Sequence, residues 1–263
     1  MLRKLLIATA VAAAVSTTAN AAVSLTGTTY SQNFDTLATT GATNTWANDS
    51  TLAGWSLFNS TGAAITALAA GDGSSNTGSF YSFGTTGSSE RALGGLASGG
   101  AYFGSPASGN VAGYIAAAFT NNTGSQIKDV TIKFDGEQWR NGGNTSAQSM
   151  LMQYGFGSSF SAVTTWSNSF SWASPVVGST GAAVNGNTTG LVADVGGTFA
   201  TPTWGAGQTL WVRWVENNDV GNDHGLAIDN FSLSVTAVPE PESYAMLLAG
   251  LGMMGFIARR RKV

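Results

Sequence analysis

The chain of 263 residues carries eight Trp, thirteen Phe and six Tyr, with 35 glycines and only 10% charged residues. So many rings need a core, which excludes a disordered chain. The absence of Cys excludes disulfides and thiolate metal sites, and a single His excludes every motif built on two. A net charge of −3 leaves no electrostatic footprint for nucleic acid.

Residues 1–21 read as a secretory signal peptide. Arg3 and Lys4 open it, an apolar run extends from Leu5 to Val15, and Ala19-Asn20-Ala21 sets small residues where signal peptidase would cut after Ala21. From Ala22 to Ala237 short β-branched or aromatic runs alternate with Gly, Ser, Asn and Thr clusters. This pattern predicts one all-β domain over residues 22–237, a two-sheet antiparallel sandwich of jelly-roll type. The predicted strands are Val23–Thr28, Gly54–Phe58, Ser79–Phe83, Gly113–Thr120, Ile127–Phe134, Ser149–Phe156, Gln208–Glu216 and Leu226–Val235. Apart from Ser79–Phe83, the low-complexity stretch 59–110 is expected to form long loops over a loosely defined edge.

Strand parity supplies the first candidate contact. In the last strand Phe231, Leu233 and Val235 share a face, and stepping back two residues puts Asp229 on it. A buried carboxylate needs a partner, so Asp229 is expected to be held by Arg140 or Arg213, each beside a Trp, with a metal ion as the other option.

The richest polar stretch joins the last two strands and runs from Glu216 to Gly225. Glu216, Asp219, Asn222 and Asp223 offer the hard oxygens that Ca²⁺ takes, though without EF-hand spacing. Asn, Asp and Gly are equally good turn formers, and Asp223 can cap the loop through its backbone. His224, the only histidine, is where general-base chemistry near neutral pH would run, with Asp219 or Asp223 orienting it, unless it is a loop histidine bonded to backbone. Asp135 and Glu137 raise the question of glycoside hydrolysis. They are expected on opposite faces of their strand unless Gly136 carries a bulge, which counts against a catalytic pair.

Residues 238–263 form a three-part tail: Pro239-Glu240-Pro241, an uncharged apolar stretch over 244–258, and the basic run Arg259, Arg260, Arg261, Lys262. As a transmembrane helix, 244–258 would rise about 22 Å against a hydrocarbon core of about 30 Å, which suits temporary retention. The basic run would keep the C-terminus cytoplasmic. The tail resembles the PEP-CTERM sorting signal of Gram-negative bacteria. That resemblance implies recognition of Pro239, Glu240 and Pro241 by an exosortase after signal-peptidase cleavage. It also implies transient inner-membrane anchoring through 244–258 and delivery to the cell surface or an extracellular exopolysaccharide matrix.

The segments Gly136-Glu137-Gln138-Trp139-Arg140-Asn141-Gly142-Gly143, Leu210-Trp211-Val212-Arg213-Trp214 and 221–231, with Phe34-Asp35-Thr36-Leu37 and Ser50-Thr51-Leu52-Ala53-Gly54-Trp55, resemble a bacterial exported β-domain that carries no assigned reaction. The Ala227-Ile228-Asp229-Asn230 strand is also similar to one in jelly-roll carbohydrate-binding modules and MAM-type adhesion domains, where the aspartate is structural or binds Ca²⁺. Without its tails the body holds five basic against twelve acidic residues, a charge that favours cations and neutral glycans over nucleic acid. The resulting expectation is an exported, non-enzymatic adhesion or glycan-binding sandwich. Ca²⁺ is its candidate cofactor and exopolysaccharide its partner, with Trp46, Trp166, Trp172 and Trp204 free to stack on sugar. The alternative is a secreted polysaccharide hydrolase using Glu137 or Asp135 with His224 or a bound metal.

Overall fold

The structure is a computed structural model that describes residues 22–238 together with residues 246, 248–251, 253 and 254. Its strands are β1 (Val23–Leu25), β2 (Thr29–Gln32), β3 (Asn44–Thr45), β4 (Trp55–Asn59), β5 (Ala67–Gly71), β6 (Ser79–Phe83), β7 (Ala92–Leu96) and β8 (Asn110–Asn121). They continue with β9 (Ile127–Asn141), β10 (Ser149–Phe156), β11 (Ser167–Ala173), β12 (Ala182–Ala183), β13 (Leu191–Trp204), β14 (Thr209–Asn218) and β15 (Gly225–Ala237). One sheet runs β1-β8-β14-β10-β11 with β4 also on β8. The other runs β12-β9-β15-β7-β6-β5-β3, with β13 on β9 and β2 on β15. Pairing is antiparallel except for β1 with β8 and β5 with β6.

The expected sandwich is present because alternate residues of the long strands face each other between the sheets. Ile115, Ala117 and Phe119 of β8, Leu210, Val212 and Trp214 of β14, and Val130, Ile132 and Phe134 of β9 all enter one core. At its centre Trp55 stacks on Trp214 with centroids 5.8 Å apart, and Phe231 stands edge-on to both. Each such side chain withdrawn from water contributes about 1.5–3 kcal/mol or more. Trp46, Trp172 and Trp204, expected as free sugar platforms, are buried in this core as well.

Two segments differ from the expected pattern. Residues 59–110 supply β5, β6 and β7 to the larger sheet, and the Gly94-Gly95 pair that reads as a loop is a packing requirement. A Cβ on Gly94 would lie 2.2 Å from the Leu226 carbonyl oxygen, so only glycine lets β7 approach β15. The strand β13 escapes the alternation pattern because its pairing with β9 shifts register after Val192, where Asp194 takes φ 59° and Gly196 φ 132°.

The face assigned to Asp229 is also corrected. In β15 Asp229 pairs with Asp135 and Ser232 with Lys133, three residues against two, and Asn230 occupies the left-handed region at φ 48°. Ile228 and Phe231 therefore both point into the main core, while Asp229 joins Ala227 on the opposite face. Stepping back from Phe231 crosses this bulge and yields the wrong face.

The signal peptide, the Pro239-Glu240-Pro241 motif and the Arg259–Lys262 run lie outside the described residues. The described residues near the C-terminus are helical and expose Met246, Leu248, Leu251, Met253 and Met254. Among the described residues no helix is long and apolar enough to cross a membrane.

Candidate functional site

Along β15, one edge is shared by two strands placed end to end: β7 pairs with Gly225–Ile228 and β2 with Phe231–Ser234. Asp229 and Asn230 sit at the junction, where neither strand covers them. On the other edge of β15, the period of two turns Asp135, Glu137 and Trp139 of β9 to the same face. The expectation that Asp135 and Glu137 point to opposite faces is therefore wrong, and no bulge at Gly136 is needed to bring them together. Glu90, just before β7, and Asn187, in the turn before β13, complete the wall. The result is a recess of about 200 Å³ lined by Asn33, Asp35, Glu90, Asp135, Glu137, Asn187, Leu191, Asp229 and Asn230.

The five acids divide by what their oxygens do. Asp35 accepts from the Arg91 backbone N–H at 3.0 Å and from Asn33 at 2.7 Å, tying the β2 exit to the start of β7. Asp135 accepts from the Asp194 backbone N–H at 2.8 Å and from the Asn230 amide at 3.0 Å, pinning β13 and the bulge to β9. Glu137 accepts from Trp139 Nε1 at 2.8 Å, and Glu90 accepts from the Asn187 amide. Asp229 is 3% exposed, and its Oδ1 has no hydrogen-bond partner; neither does the buried Oδ1 of Asn187. One oxygen each of Glu90, Glu137 and Asp229 lie within 4.8 Å of one another.

Burial, against the Asn230 backbone hydrogen bond, pushes the Asp229 carboxyl up to about 8, and Glu137, Glu90 and Asp35 reinforce the rise. Burial likewise pushes Glu137 up to about 7, against the Trp139 hydrogen bond, with Glu90 and Asp135 adding to it. The site is therefore a cluster of carboxyl groups held away from water, where burial favours the protonated forms of Asp229 and Glu137. The one ion pair among the described residues, Lys133 with Asp194, is exposed and uses the lysine elsewhere.

Neither expected arginine neutralises it. Arg140 donates Nη1 to the carbonyls of Gly73 and Ser74. Arg213 lies in the other sheet, donates Nε to Gln153 at 2.7 Å, and sits 4.3 Å from the Tyr114 ring centroid and 4.0 Å from that of Trp166. Trp166, half-buried, is thus covered by a guanidinium. Nor do the expected loop ligands gather. Among the described residues the carboxylates that converge are the recess trio, and Glu216, Asp219 and Asp223 do not. Glu216 is buried below Gly95, and desolvation raises its carboxyl well above the usual range. Asp223 accepts the Asp219 backbone N–H at 2.7 Å, the turn-forming role, while Asn222 offers its carbonyl to Asn144 and Gln148. His224 is no exposed loop residue. It is 1% exposed, with Nδ1 2.9 Å from Ser174 Oγ and Nε2 3.3 Å from the Asn144 carbonyl, and burial lowers its pKa. It contacts Gln138, the neighbour of Glu137 that points to the other face. Glu90 and Asn187 carry no signal in the sequence, since each lies in an ordinary Ser-, Thr-, Gly- or Asn-rich turn that only the strand topology brings to the recess.

A two-layer β-sandwich with a C-terminal export signal is the class these features define. Residues 237–262 match the PEP-CTERM protein-sorting motif, which makes the chain an exosortase-targeted protein exported and sorted to the cell envelope. No curated protein matches the chain. The sandwich resembles the CBM22-1 xylan-binding domain of Paenibacillus barcinonensis Xyn10C at 8% identity and a TM-score of 0.38, over 80% of this chain and 95% of that one. It also resembles the arabinose-bound MgGH51 α-L-arabinofuranosidase at 13% identity and a TM-score of 0.33, over 79% of this chain and 26% of that one. At these values the likeness is one of general architecture, and neither ligand nor reaction transfers with it.

Proposed function

We propose that the sandwich is a non-catalytic module that adheres to a neutral polysaccharide at the cell surface or in the extracellular matrix. The observation that carries this reading is a mostly polar groove of about 400 Å³ lined by Ser31, Gln32, Asn33, Asn230, Phe231 and Ser232 along β2 and β15. It meets the acidic recess at Asn33 and Asn230. Hydroxyl and amide groups in a row are what a chain of sugar hydroxyls can hydrogen-bond, and the acidic body repels polyanions. Glycoside hydrolysis needs two carboxyls flanking an accessible bond. Here Glu137 and Asp229 are buried, Asp35 and Asp135 are spent on backbone, and His224 belongs to another face.

The test is affinity electrophoresis of the full chain through gels containing neutral or anionic polysaccharides, with reducing ends assayed in parallel. Retardation by a neutral polysaccharide without new reducing ends, lost when Ser232→Trp fills the groove, is the expected result. Reducing ends that disappear in Glu137→Gln would replace this reading with the hydrolase, and absence of retardation in every gel would remove it.

A further inference from the structure

We infer that exosortase contacts the folded sandwich as well as its motif, through a rigid, uncharged cap at the end of β15. The inference lies beyond polysaccharide adhesion and rests on recognition of Pro239, Glu240 and Pro241. Ala237 pairs with Ile127, and the Val238 N–H donates to the Gln126 carbonyl at 2.7 Å. Pro239 comes next, with no N–H to continue that pairing. No linker therefore separates the last tied residue from the first recognised one, and consecutive Cα atoms lie at most about 3.8 Å apart. A groove that holds Pro239 brings its rim against Gln126 and the turns beside it.

Those turns form one plate. Asn121 is fully buried and donates its side-chain amide to the Ser125 and Trp204 carbonyls, both at 2.9 Å. Its backbone N–H donates to the Gln208 carbonyl at 3.0 Å, and its own carbonyl accepts the Gly207 N–H at 2.7 Å. Leu25 accepts the Asn122 N–H and Thr28 accepts the Val235 N–H, each at 2.9 Å. Segments 25–28, 121–126 and 204–208 are thereby tied to one another and to the strand end. Freeing more of β15 for the enzyme would draw Val235 out of the core, so the cap stays in place as the motif is engaged.

Its composition suits a protein partner. Residues 22–28, 120–127, 200–209 and 235–238 hold no charged side chain, although the body carries five basic and twelve acidic residues. The acids of the 216–225 loop lie at the far end of β15, about 40 Å away at about 3.3 Å per residue. Exposed hydroxyls, amides and backbone groups can trade water for a partner's hydrogen bonds, whereas an unpaired charge in such a contact is costly to desolvate.

The experiment follows C-terminal processing of the full chain by pulse–chase in the producing cells, scoring only exported chains whose signal peptide has been removed. Gln126→Glu with Gln208→Glu places charge on exposed side chains of the cap and keeps their shape, including the acceptor that Gln208 offers the Gly205 N–H. We expect processing to slow about fivefold or more, while Val220→Glu, at the far end, leaves it unchanged. About ten Gly and Ser residues inserted between Val238 and Pro239, spanning about 17 Å on average, should abolish that slowing because the cap no longer meets the enzyme. A wild-type rate for the double variant, the same slowing with the linker in place, or equal slowing by Val220→Glu would overturn the contact. Replacing Pro239, Glu240 and Pro241 behind the linker tests the motif separately. Continued processing there removes motif recognition and the inference with it, whereas a persistent block combined with charge-insensitive processing of the cap variants removes the cap contact alone.

Discussion

Replacing Asp229 by Asn in the metal-free protein should raise stability at pH 8, the reverse of what an ion pair with an arginine would give. The buried carboxyl moves from an ordinary 3.8 to about 8, so between those values folding takes up a proton and stability falls as pH rises. At about 1.4 kcal/mol per pH unit the full displacement corresponds to on the order of 5 kcal/mol at pH 8 and vanishes below about pH 4. Part of it is mutual repulsion with Glu137, Glu90 and Asp35, which Asn also relieves. Asn keeps the shape without the charge, so a gain of at least about 2 kcal/mol is expected at pH 8 and less than about 0.5 kcal/mol at pH 4. Urea denaturation of wild type and variant in EDTA at the two pH values measures both terms. A variant less stable than wild type at pH 8 would refute the reasoning, because it would require a cationic partner or strong donor at the carboxylate.

His224→Ala should cost about 1–3 kcal/mol, since it empties a fully buried site and removes the imidazole partner of the Ser174 hydroxyl, while Ser174 Oγ still accepts from the Gln148 N–H, the Gln138 amide still bonds the Arg140 and Val176 carbonyls and the Asn144 carbonyl keeps the Gly178 N–H; chemical denaturation checks this. Burial lowers the imidazole pKa, so its contribution is complete above about pH 6.5 and drains away as pH falls. Replacing Pro239, Glu240 and Pro241 together, or neutralising Arg259 to Lys262, should leave export intact and block C-terminal processing. Intact mass of the secreted chain reads this directly, and an unchanged mature mass would count against exosortase recognition of those residues.

Physical regularity separates what could be foreseen from what could not. The strands β6 and β10 coincide with their full predicted spans, and both sheets are built from the short β-branched and aromatic runs between the turn clusters. Glycine is ambiguous: at Gly94 it permits two backbones to approach, yet in a string it looks like a loop. A bulge is a one-residue event, and Asn230 gives no warning that it turns Asp229 to the other face. Burial of Asp229 was foreseeable from its apolar strand, but its neighbours were not. Glu90, Glu137 and Asn187 lie far apart in the chain and meet only because β7 and β2 divide one edge of β15. The 216–225 loop shows the opposite case, where a dense run of oxygen donors serves mainly to build a turn.

The proposal that the sorting tail delivers a polysaccharide-binding sandwich is tested most directly by retention on cells. The quantity is the fraction of processed sandwich that stays with washed cells producing exopolysaccharide, compared with otherwise identical cells lacking it. Retention on the first and release into the medium from the second is the predicted result. Equal distribution in both strains, with processing intact, would contradict it.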